Sequence, residues 1–156
     1  MYDDARGFFK ETWSAPKYAE FGLPAEWAQD SSSRSARNVV RGLHYDFHMA
    51  KFVQCLHGRI FDVIVDLRRE SPTYLFWQGF ELSASNHRQL FVPAGFGHGF
   101  LALDEALVHY KNSAPYDPSR EGAVSWRNPR IGISWPLSGE PILSAKDAAV
   151  PEDFLP

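Results

Sequence analysis

The sequence predicts an all-β protein, folded as a sandwich or barrel of short strands with few short helices. Residues Arg59–Arg68 alternate strictly, with Phe61, Val63, Val65 and Leu67 on one side and a mixed set on the other. This is the period of a β-strand. Further apolar runs follow at intervals of about ten residues, separated by turns rich in Gly, Pro, Ser and Asn, a spacing typical of antiparallel β-architectures.

The first 38 residues precede this pattern and are predicted to be mostly irregular. Arg6 begins a turn into a short apolar segment, and the two prolines in residues 14–27 indicate a loop with one helical turn at Tyr18–Phe21. The polar, serine-rich run Gln29–Asn38 is typical of a surface loop.

The remaining elements follow from turn residues and apolar runs. His57 and Gly58 predict a hairpin turn before the alternating strand. The proline-rich tail Trp126–Pro156 is expected to be irregular except for one turn at Ala145–Val150. No internal repeat divides the chain, so residues 1–156 are expected to form a single domain. Further strands are predicted at Tyr74–Leu82, Leu90–Val92, Gly99–Leu103 and Leu107–Lys111, with turns at Ala84–His87 and Pro93–His98.

The composition excludes several classes of protein. With 156 residues and 44% hydrophobic side chains, the chain is long enough for one core. The net charge of −3 provides no basic stripe for nucleic acid, and no apolar run reaches the roughly 20 residues of a membrane span. The single cysteine, Cys55, excludes an internal disulfide framework. Since the start also lacks a signal-peptide core, we expect a cytoplasmic protein that binds neither nucleic acid nor membranes.

Two short stretches carry most of the chemically active side chains. The first, Arg41–His57, contains an arginine, three histidines and a lysine. The second, Pro93–Leu103, places His98 between two glycines. Histidines early in a small β-barrel, with another in a later Pro/Gly turn, resemble the cupin-type jelly roll. The fold class expected on this analogy is therefore a jelly-roll barrel or sandwich.

The first stretch departs from the metal-binding pattern of that fold. Metal-binding cupins resemble an HxH pair followed by a glutamate, whereas His44 and His48 are four residues apart. The next ionisable side chain is Lys51. A protonated lysine repels a divalent cation and offers it no lone pair. The sequence therefore predicts no bound metal.

A site with histidine, lysine and tyrosine suits proton transfer next to a ketone. Such a reaction needs a base with a pKa near neutrality and a cationic or hydrogen-bonding group for the enolate oxygen. Inverting the carbon also needs an acid on the opposite face. His44 is the candidate base and Lys51 the oxyanion stabiliser, with a tyrosine as the acid. The alternative stays open at this point, because a lone His, Lys or Tyr in a strand is more often structural.

Six segments, in order, resemble one family over nearly the whole chain. The chain is similar to the dTDP-4-dehydrorhamnose 3,5-epimerases, sugar-nucleotide epimerases with a metal-free cupin fold. A single Gly-His-Gly would be a weak signal, but six segments in the correct order are specific. They are DARGFFKETW, RGLHYD, KFVQCLHGRIFDVIVDLRRESPTY, ELSASNHRQLFVPAGFGHGFLAL, HYKNSAPYDPSREG and ISWPLSGEPILSAKDAAVP.

The resemblance implies a role for each of four residues. His44 matches the family's base, which takes the C5 and C3 protons, and Asp147 matches the carboxylate that holds its tautomer. Tyr110 matches the proton donor. Lys51 matches the lysine near the C4 oxygen of the sugar, where enolate charge develops. Because the ketone of the substrate already acidifies these protons, no cofactor is expected.

Eight further positions match residues that line the pocket or hold the nucleotide and sugar. Arg41 suits the diphosphate, because its planar guanidinium offers two parallel donors. Tyr116 resembles the aromatic residue that stacks on thymine. Family members are homodimers that exchange N-terminal strands, so Arg6 and Glu11 are expected to serve the partner's site. The full set is Arg6, Glu11, Gln29, Arg41, Asp62, His98, Tyr116 and Glu121.

The expected function is inversion of C3 and C5 of a dTDP-4-keto-6-deoxyhexose, in rhamnose or other deoxysugar biosynthesis. The loop from His44 to Lys51 is shorter than is common in the family and has Asp46 where glutamine is frequent. The strand upstream of Arg6 is also short, which leaves the usual dimer edge open. One alternative is an epimerase that acts at one carbon or on another nucleotide-linked 4-keto sugar. A more distant alternative is a metal-dependent or non-catalytic sugar-binding cupin.

Overall fold

The computed structural model describes all 156 residues, and β-strands dominate it. None of its helices has the length and hydropathy needed to span a membrane. The strands are β1 (Tyr2–Asp4), β2 (Gly7–Phe9), β3 (Gln29–Ser35), β4 (Val40–Tyr45), β5 (Lys51–His57), β6 (Arg59–Asp66), β7 (Trp77–Ser83), β8 (Gln89–Val92), β9 (Phe96–Ala102), β10 (Ala106–Asn112) and β11 (Gly122–Ala123). The helices are α1 (Ala15–Ala19) and α2 (Ala145–Ala148).

Most strands belong to two antiparallel sheets. One has four strands in the order β3-β10-β5-β8, and the other has five in the order β11-β4-β9-β6-β7. Apolar side chains from both sheets form one buried core, which makes the fold a β-sandwich. The all-β, jelly-roll prediction is therefore confirmed. The core residues are Val53, Cys55, Ile60, Leu82, Val92, Phe100, Ala102, Ala106 and Val108.

A second apolar cluster involves the five-stranded sheet and the C-terminal tail. Val63 and Val65 of β6 belong to it together with Leu43 of β4 and Ile131 of the tail, while Ile60 belongs to the core between the sheets. Successive side chains of a strand point to opposite faces. Both faces of β6 are therefore covered, and the irregular tail stabilises one of them.

The prediction of a surface loop at Gln29–Asn38 was wrong, because this segment begins with strand β3. All seven residues of β3 pair antiparallel with β10. Burial alternates along the strand, so that Ser31 and Ser33 are half-buried between exposed neighbours. β3 is an edge strand, and its inner side borders a polar cavity. Neither side requires apolar residues, which is why its composition is that of a loop.

Strand β9 begins earlier than predicted. A turn was expected over Pro93–His98, but the strand starts at Phe96 and includes His98. Its glycines reflect close contact with β4 rather than a turn. A Cβ added at Gly99 would lie 2.5 Å from the carbonyl oxygen of Arg41, so only glycine fits there.

The other boundaries agree more closely with the prediction. Strands β6, β8 and β10 and the helical turn in the tail are confirmed. The hairpin predicted at His57 and Gly58 was wrong, because Gly58 joins β5 to β6, which pair in different sheets. β7 begins later than expected, because hydroxyl groups of residues 71–73 bind the carboxylate of Asp66 and hold a turn there. α1 begins earlier than expected, since Pro16 suits a first helical turn.

Strands β1 and β2 form a two-stranded ribbon that belongs to neither large sheet. All of its strand residues are exposed, including the aromatic side chains of Tyr2, Phe8 and Phe9. An isolated two-stranded hairpin is marginally stable in water. The ribbon is therefore the part of the fold with the least support from its own chain.

Candidate active site

A cavity of about 350 Å³ opens between the two sheets. Side chains of β3, β5 and β10 line one side, those of β4 and β9 line the other, and helix α2 and residues 116 and 121 complete it. The fold thus brings together segments that are far apart in the sequence. Nine side chains predicted for the site line this cavity: Gln29, Arg41, His44, Lys51, His98, Tyr110, Tyr116, Glu121 and Asp147.

A bulge in β4 turns Arg41 and His44 toward the same cavity. Arg41 pairs with Phe100, and His44 pairs with His98. The step between these two pairs is three residues in β4 but only two in β9. Without the extra residue, positions three apart in a strand face opposite sides. Gly42 permits the bulge, since its φ is 113° and an added Cβ would lie 2.7 Å from the Cα of Gly99.

His44 and Asp147 form a hydrogen-bonded pair. The Nε2 of His44 lies 2.6 Å from Oδ1 of Asp147. The backbone N–H of Asp147 donates to Oγ of Ser144 at 3.0 Å, which fixes the start of α2. Burial raises the pKa of Asp147, but the hydrogen bond and charge of His44 outweigh it, and the net pKa is lowered. Asp147 therefore favours its ionised form. In the tautomer of His44 that donates from Nε2 to this carboxylate, Nδ1 is a free acceptor.

Tyr110 enters the cavity from the opposite sheet. Its hydroxyl lies 3.0 Å from Oγ of Ser33, and its ring centroid lies 6.3 Å from that of His98. Burial raises the pKa of the Tyr110 phenol far above its usual range, and the hydrogen bond with Ser33 opposes this only in part. The phenol is therefore protonated at neutral pH and can act as a proton donor.

Lys51 provides a positive charge at the start of β5. Its ammonium group forms no hydrogen bond or ion pair within the chain, although the side chain lines the cavity. Burial lowers the pKa of Lys51, and the carboxylates of Glu121, Asp46 and Asp62 partly offset this effect. A desolvated cation without a protein partner is suited to bind an oxygen that gains negative charge.

His98 and Asp62 form a second histidine–carboxylate pair. Their Nε2 and Oδ1 atoms are 2.6 Å apart, and both side chains are buried. Asp62 does not line the cavity but lies behind His98, and its Oδ2 has no hydrogen-bond partner. No group of three or more His, Cys, Asp or Glu side chains is arranged to hold a metal ion.

The outer part of the cavity is polar. Glu121 accepts a hydrogen bond from the ammonium of Lys146 in α2, and the hydroxyl of Tyr116 donates to the same oxygen at 3.4 Å. Oε1 of Gln29 accepts from the backbone N–H of Tyr116 at 2.8 Å. Tyr116 is 50% exposed, so its ring is accessible to a planar ligand.

Sequence reasoning missed several side chains of the cavity. Ser144 and Lys146 precede Asp147 in the SAKD segment, and the first turn of α2 with its N-cap places all three in the wall. The serines of β3 were assigned to a loop. Their spacing, with Ser31, Ser33 and a buried Ser35 two residues apart, was the signal that could have indicated a strand.

Arg6 and Glu11 do not line the cavity of their own chain. Arg6 pairs with Asp4 across the turn of the ribbon at 2.6 Å, and Glu11 pairs with Lys17 at 2.8 Å. Both pairs are exposed. The expected role of Arg6 and Glu11 in a partner's site stays a prediction.

The cavity combines a carboxylate-paired histidine, a lysine and a tyrosine, which are side chains that general acid–base enzymes use to transfer protons. The chain belongs to the dTDP-4-dehydrorhamnose 3,5-epimerase family, whose model matches residues 1–153. It is thus an isomerase of the epimerase kind. The family expected from the sequence motifs is confirmed.

Individual relatives agree with this assignment. The chain is 47% identical to a dTDP-4-dehydrorhamnose 3,5-epimerase of Salmonella typhimurium, over 97% of this chain and 85% of the relative. A dTDP-6-deoxy-D-glucose-3,5-epimerase of Legionella pneumophila, solved in complex with dTDP-4-keto-L-rhamnose, superimposes with a TM-score of 0.92 at 43% identity, over 96% and 81% of the chains. ChmJ, a 3'-monoepimerase of Streptomyces bikiniensis solved with dTDP-quinovose, has a TM-score of 0.90 at 35% identity, over 96% and 78%.

Proposed function

We propose that the protein inverts the C3 and C5 centres of a dTDP-4-keto-6-deoxyhexose. The observation that carries this proposal is the carboxylate-backed His44 in one cavity with Tyr110 and Lys51, which come from the opposite sheet. The names of the Salmonella and Legionella relatives, and the dTDP-4-keto-L-rhamnose bound by the latter, support the substrate class.

The proposed reaction is a proton abstraction followed by reprotonation. Nδ1 of His44 removes the proton from a carbon next to the C4 ketone, and the electron pair moves onto the ketone oxygen. The ammonium of Lys51 stabilises the resulting enolate. Tyr110 then returns a proton to the opposite face of the same carbon, which inverts it. The imidazolium of His44 then releases its proton to solvent, and the tyrosinate of Tyr110 takes one up. Repetition at the second α-carbon gives the double epimer, and the ketone itself supplies the acidity that would otherwise require a cofactor.

Residues of the outer cavity are proposed to bind the nucleotide part. Arg41 donates from Nε to Oγ of Ser35 at 2.9 Å and from one terminal nitrogen to a backbone carbonyl. These bonds fix the guanidinium and leave other N–H groups for the diphosphate. Tyr116 is proposed to stack on thymine, and Gln29 and Glu121 to hold the base and sugar. Lys146, which the structure adds to this set, neutralises Glu121.

The proposal is tested by solvent deuterium exchange with dTDP-4-keto-6-deoxy-D-glucose, followed by NMR and mass spectrometry. The wild-type protein is expected to incorporate deuterium at C3 and C5. His44→Ala is expected to lose exchange at both carbons, with a rate loss of about 10²–10⁴-fold. His48→Ala, which changes an exposed histidine outside the cavity, is the matched control. Exchange retained by His44→Ala would exclude His44 as the base.

A second candidate function is inversion at one carbon only. The similarity to ChmJ, whose structure is that of a 3'-monoepimerase, favours this candidate. NMR of the product distinguishes the two, since a single-centre enzyme leaves one α-carbon with its original configuration. The same assay with UDP-linked and dTDP-linked 4-keto sugars determines the nucleotide.

We also propose that the protein is a homodimer. Two observations support this state: the β1–β2 ribbon exposes its aromatic side chains, and Arg6 and Glu11 lie outside the cavity of their own chain. A second copy that covers the ribbon would bury these side chains and receive both charged residues in its site. The cytoplasmic location stays a prediction.

A further inference from the structure

The loop of residues 46–50, between β4 and β5, contains a buried carboxylate that the proposed reaction does not use. Asp46 accepts a hydrogen bond at Oδ1 from the backbone N–H of His48 at 2.7 Å. Its Oδ2 is sealed from solvent and has no hydrogen-bond partner. A buried charge is costly unless a counter-charge or hydrogen bonds compensate for it. A cationic group close to Oδ2 would offset this cost.

That cation is Arg120. Its Nε lies 3.8 Å from Oδ2 of Asp46, and the Asp46 side chain is 2% exposed. Arg120 belongs to the segment of residues 113–121, which we call the cap segment because it carries Tyr116 and Glu121 to the outer cavity. Within this segment, Arg120 also binds Asp117 at 3.3 Å and the carbonyl of Pro115 at 3.1 Å.

The cap segment is tied to the same loop at its other end. The backbone N–H of Ala50 donates to Oγ of Ser113 at 2.8 Å, and the N–H of Ser113 donates to the carbonyl of Ala50 at 3.0 Å. The two ties differ in kind. The contact at Ser113 consists mostly of backbone groups, whereas the contact at Arg120 depends on one buried charge.

We propose that Asp46 is a positioning residue, which anchors the cap segment through Arg120 and so sets Tyr116 and Glu121 over the cavity. This inference rests on the proposed function, because the ligand that the cap segment would contact is the dTDP-sugar. Asp46 itself does not line the cavity, so it acts through Arg120 and not by contact with the ligand.

The carboxylate of Asp46 has a second, electrostatic effect on Lys51. The carboxylates of Glu121, Asp46 and Asp62 raise the pKa of Lys51 against the larger lowering by burial. The cavity also contains the titratable groups of His44, His98, Tyr110 and Lys146 and the guanidinium of Arg41. Removal of the Asp46 charge lowers the pKa of Lys51 further. Because the reaction needs protonated Lys51, the alkaline limb of the pH–activity profile then moves to lower pH.

The first experiment measures the cap segment without substrate. Amide hydrogen exchange of residues 113–121 is compared in wild type, Asp46→Asn, Arg120→Gln and the double variant. Each single variant is expected to accelerate exchange there about tenfold, and the double variant no further, because both changes remove one contact. Asp104→Asn, which breaks the exposed pair with Arg59, is the matched control. Unchanged exchange in both single variants would overturn the proposal, whether or not the proposed function holds.

The second experiment measures kinetics against pH with dTDP-4-keto-6-deoxy-D-glucose. Both single variants are expected to raise KM about five- to tenfold with a smaller change in kcat. Only Asp46→Asn is expected to shift the alkaline limb to lower pH, since Arg120→Gln removes a positive charge and cannot lower the pKa of Lys51. An alkaline limb that does not move in Asp46→Asn contradicts the electrostatic effect. A wild-type protein that is inactive but shows the expected exchange pattern contradicts the proposed function and leaves the anchor supported.

Discussion

At the scale of single residues, the cavity contains two histidines that are paired alike but differ in access. His44 and His98 each bind a carboxylate at 2.6 Å. The side chain of His44 is 25% exposed, whereas that of His98 is 4% exposed and its partner Asp62 is completely buried. A base must reach the proton it removes. Burial therefore favours His44 as the base and His98 as a fixed hydrogen-bonding group.

Asp147→Asn should lower kcat by about 10²–10⁴-fold with little change in KM, because the amide no longer holds the tautomer of His44 or stabilises its cation. Steady-state kinetics with dTDP-4-keto-6-deoxy-D-glucose measure the effect. Glu152→Gln, which changes an exposed carboxylate paired with Arg127, is the control for loss of a negative charge. A kcat of Asp147→Asn within about twofold of wild type would contradict the role of this pair.

At the scale of elements, the bulge of β4 decides which side chains the strand presents to the cavity. It places Arg41 and His44 on one side, while Leu43 contributes to the apolar cluster under the tail. The contact of Gly42 with Gly99 leaves no space for a Cβ on either strand. The bulge is thus specified by two glycines that are far apart in the sequence.

We expect Gly42→Ala to destabilise the protein by about 1–3 kcal/mol, because its φ is strained for alanine and its Cβ would contact β9 at 2.7 Å. Displacement of His44 should also lower kcat by about 10²-fold. Chemical denaturation and steady-state kinetics check both effects. Gly132→Ala is the matched control, since Gly132 has a φ of 67° and its nearest atom is 4.0 Å away. Equal losses of activity in both variants would show that backbone strain alone, and not the bulge contact, is responsible.

The elements that local patterns determine could be predicted from the sequence, and those set by long-range contacts could not. β6 was predicted because its side chains alternate. Gly58 before it was expected to lie in a hairpin, but it joins strands of different sheets. β3 was missed, since a strand that borders a polar cavity has no apolar side. The bulge is a property of strand register, which no single segment specifies. The pairing of His44 with Asp147 spans 103 residues and was expected from the family resemblance alone.

At the scale of the whole molecule, the site depends on both sheets of the sandwich and on the C-terminal tail. The four-stranded sheet supplies Tyr110 and Lys51, the five-stranded sheet supplies His44, and the irregular tail supplies Asp147. The same tail packs on β6. It therefore both stabilises the five-stranded sheet and orients His44. The N-terminal ribbon contributes no residue to the cavity of its own chain.

Mixed dimers test whether the ribbon completes the site of a second copy. Arg6→Ala and His44→Ala chains, each impaired alone, are refolded together and assayed below KM. If Arg6 acts in the partner's site, each heterodimer has one site in which both Arg6 and His44 are intact. Random pairing of equal amounts makes about half of the dimers heterodimers, so about a quarter of wild-type activity should be restored. His44→Ala mixed with Asp147→Asn is the control, because both residues belong to one chain's cavity and no pairing repairs it. If the first mixture is no more active than the average of its two components, Arg6 lies outside the partner's site. That result would contradict a dimer in which the two copies exchange their N-terminal strands.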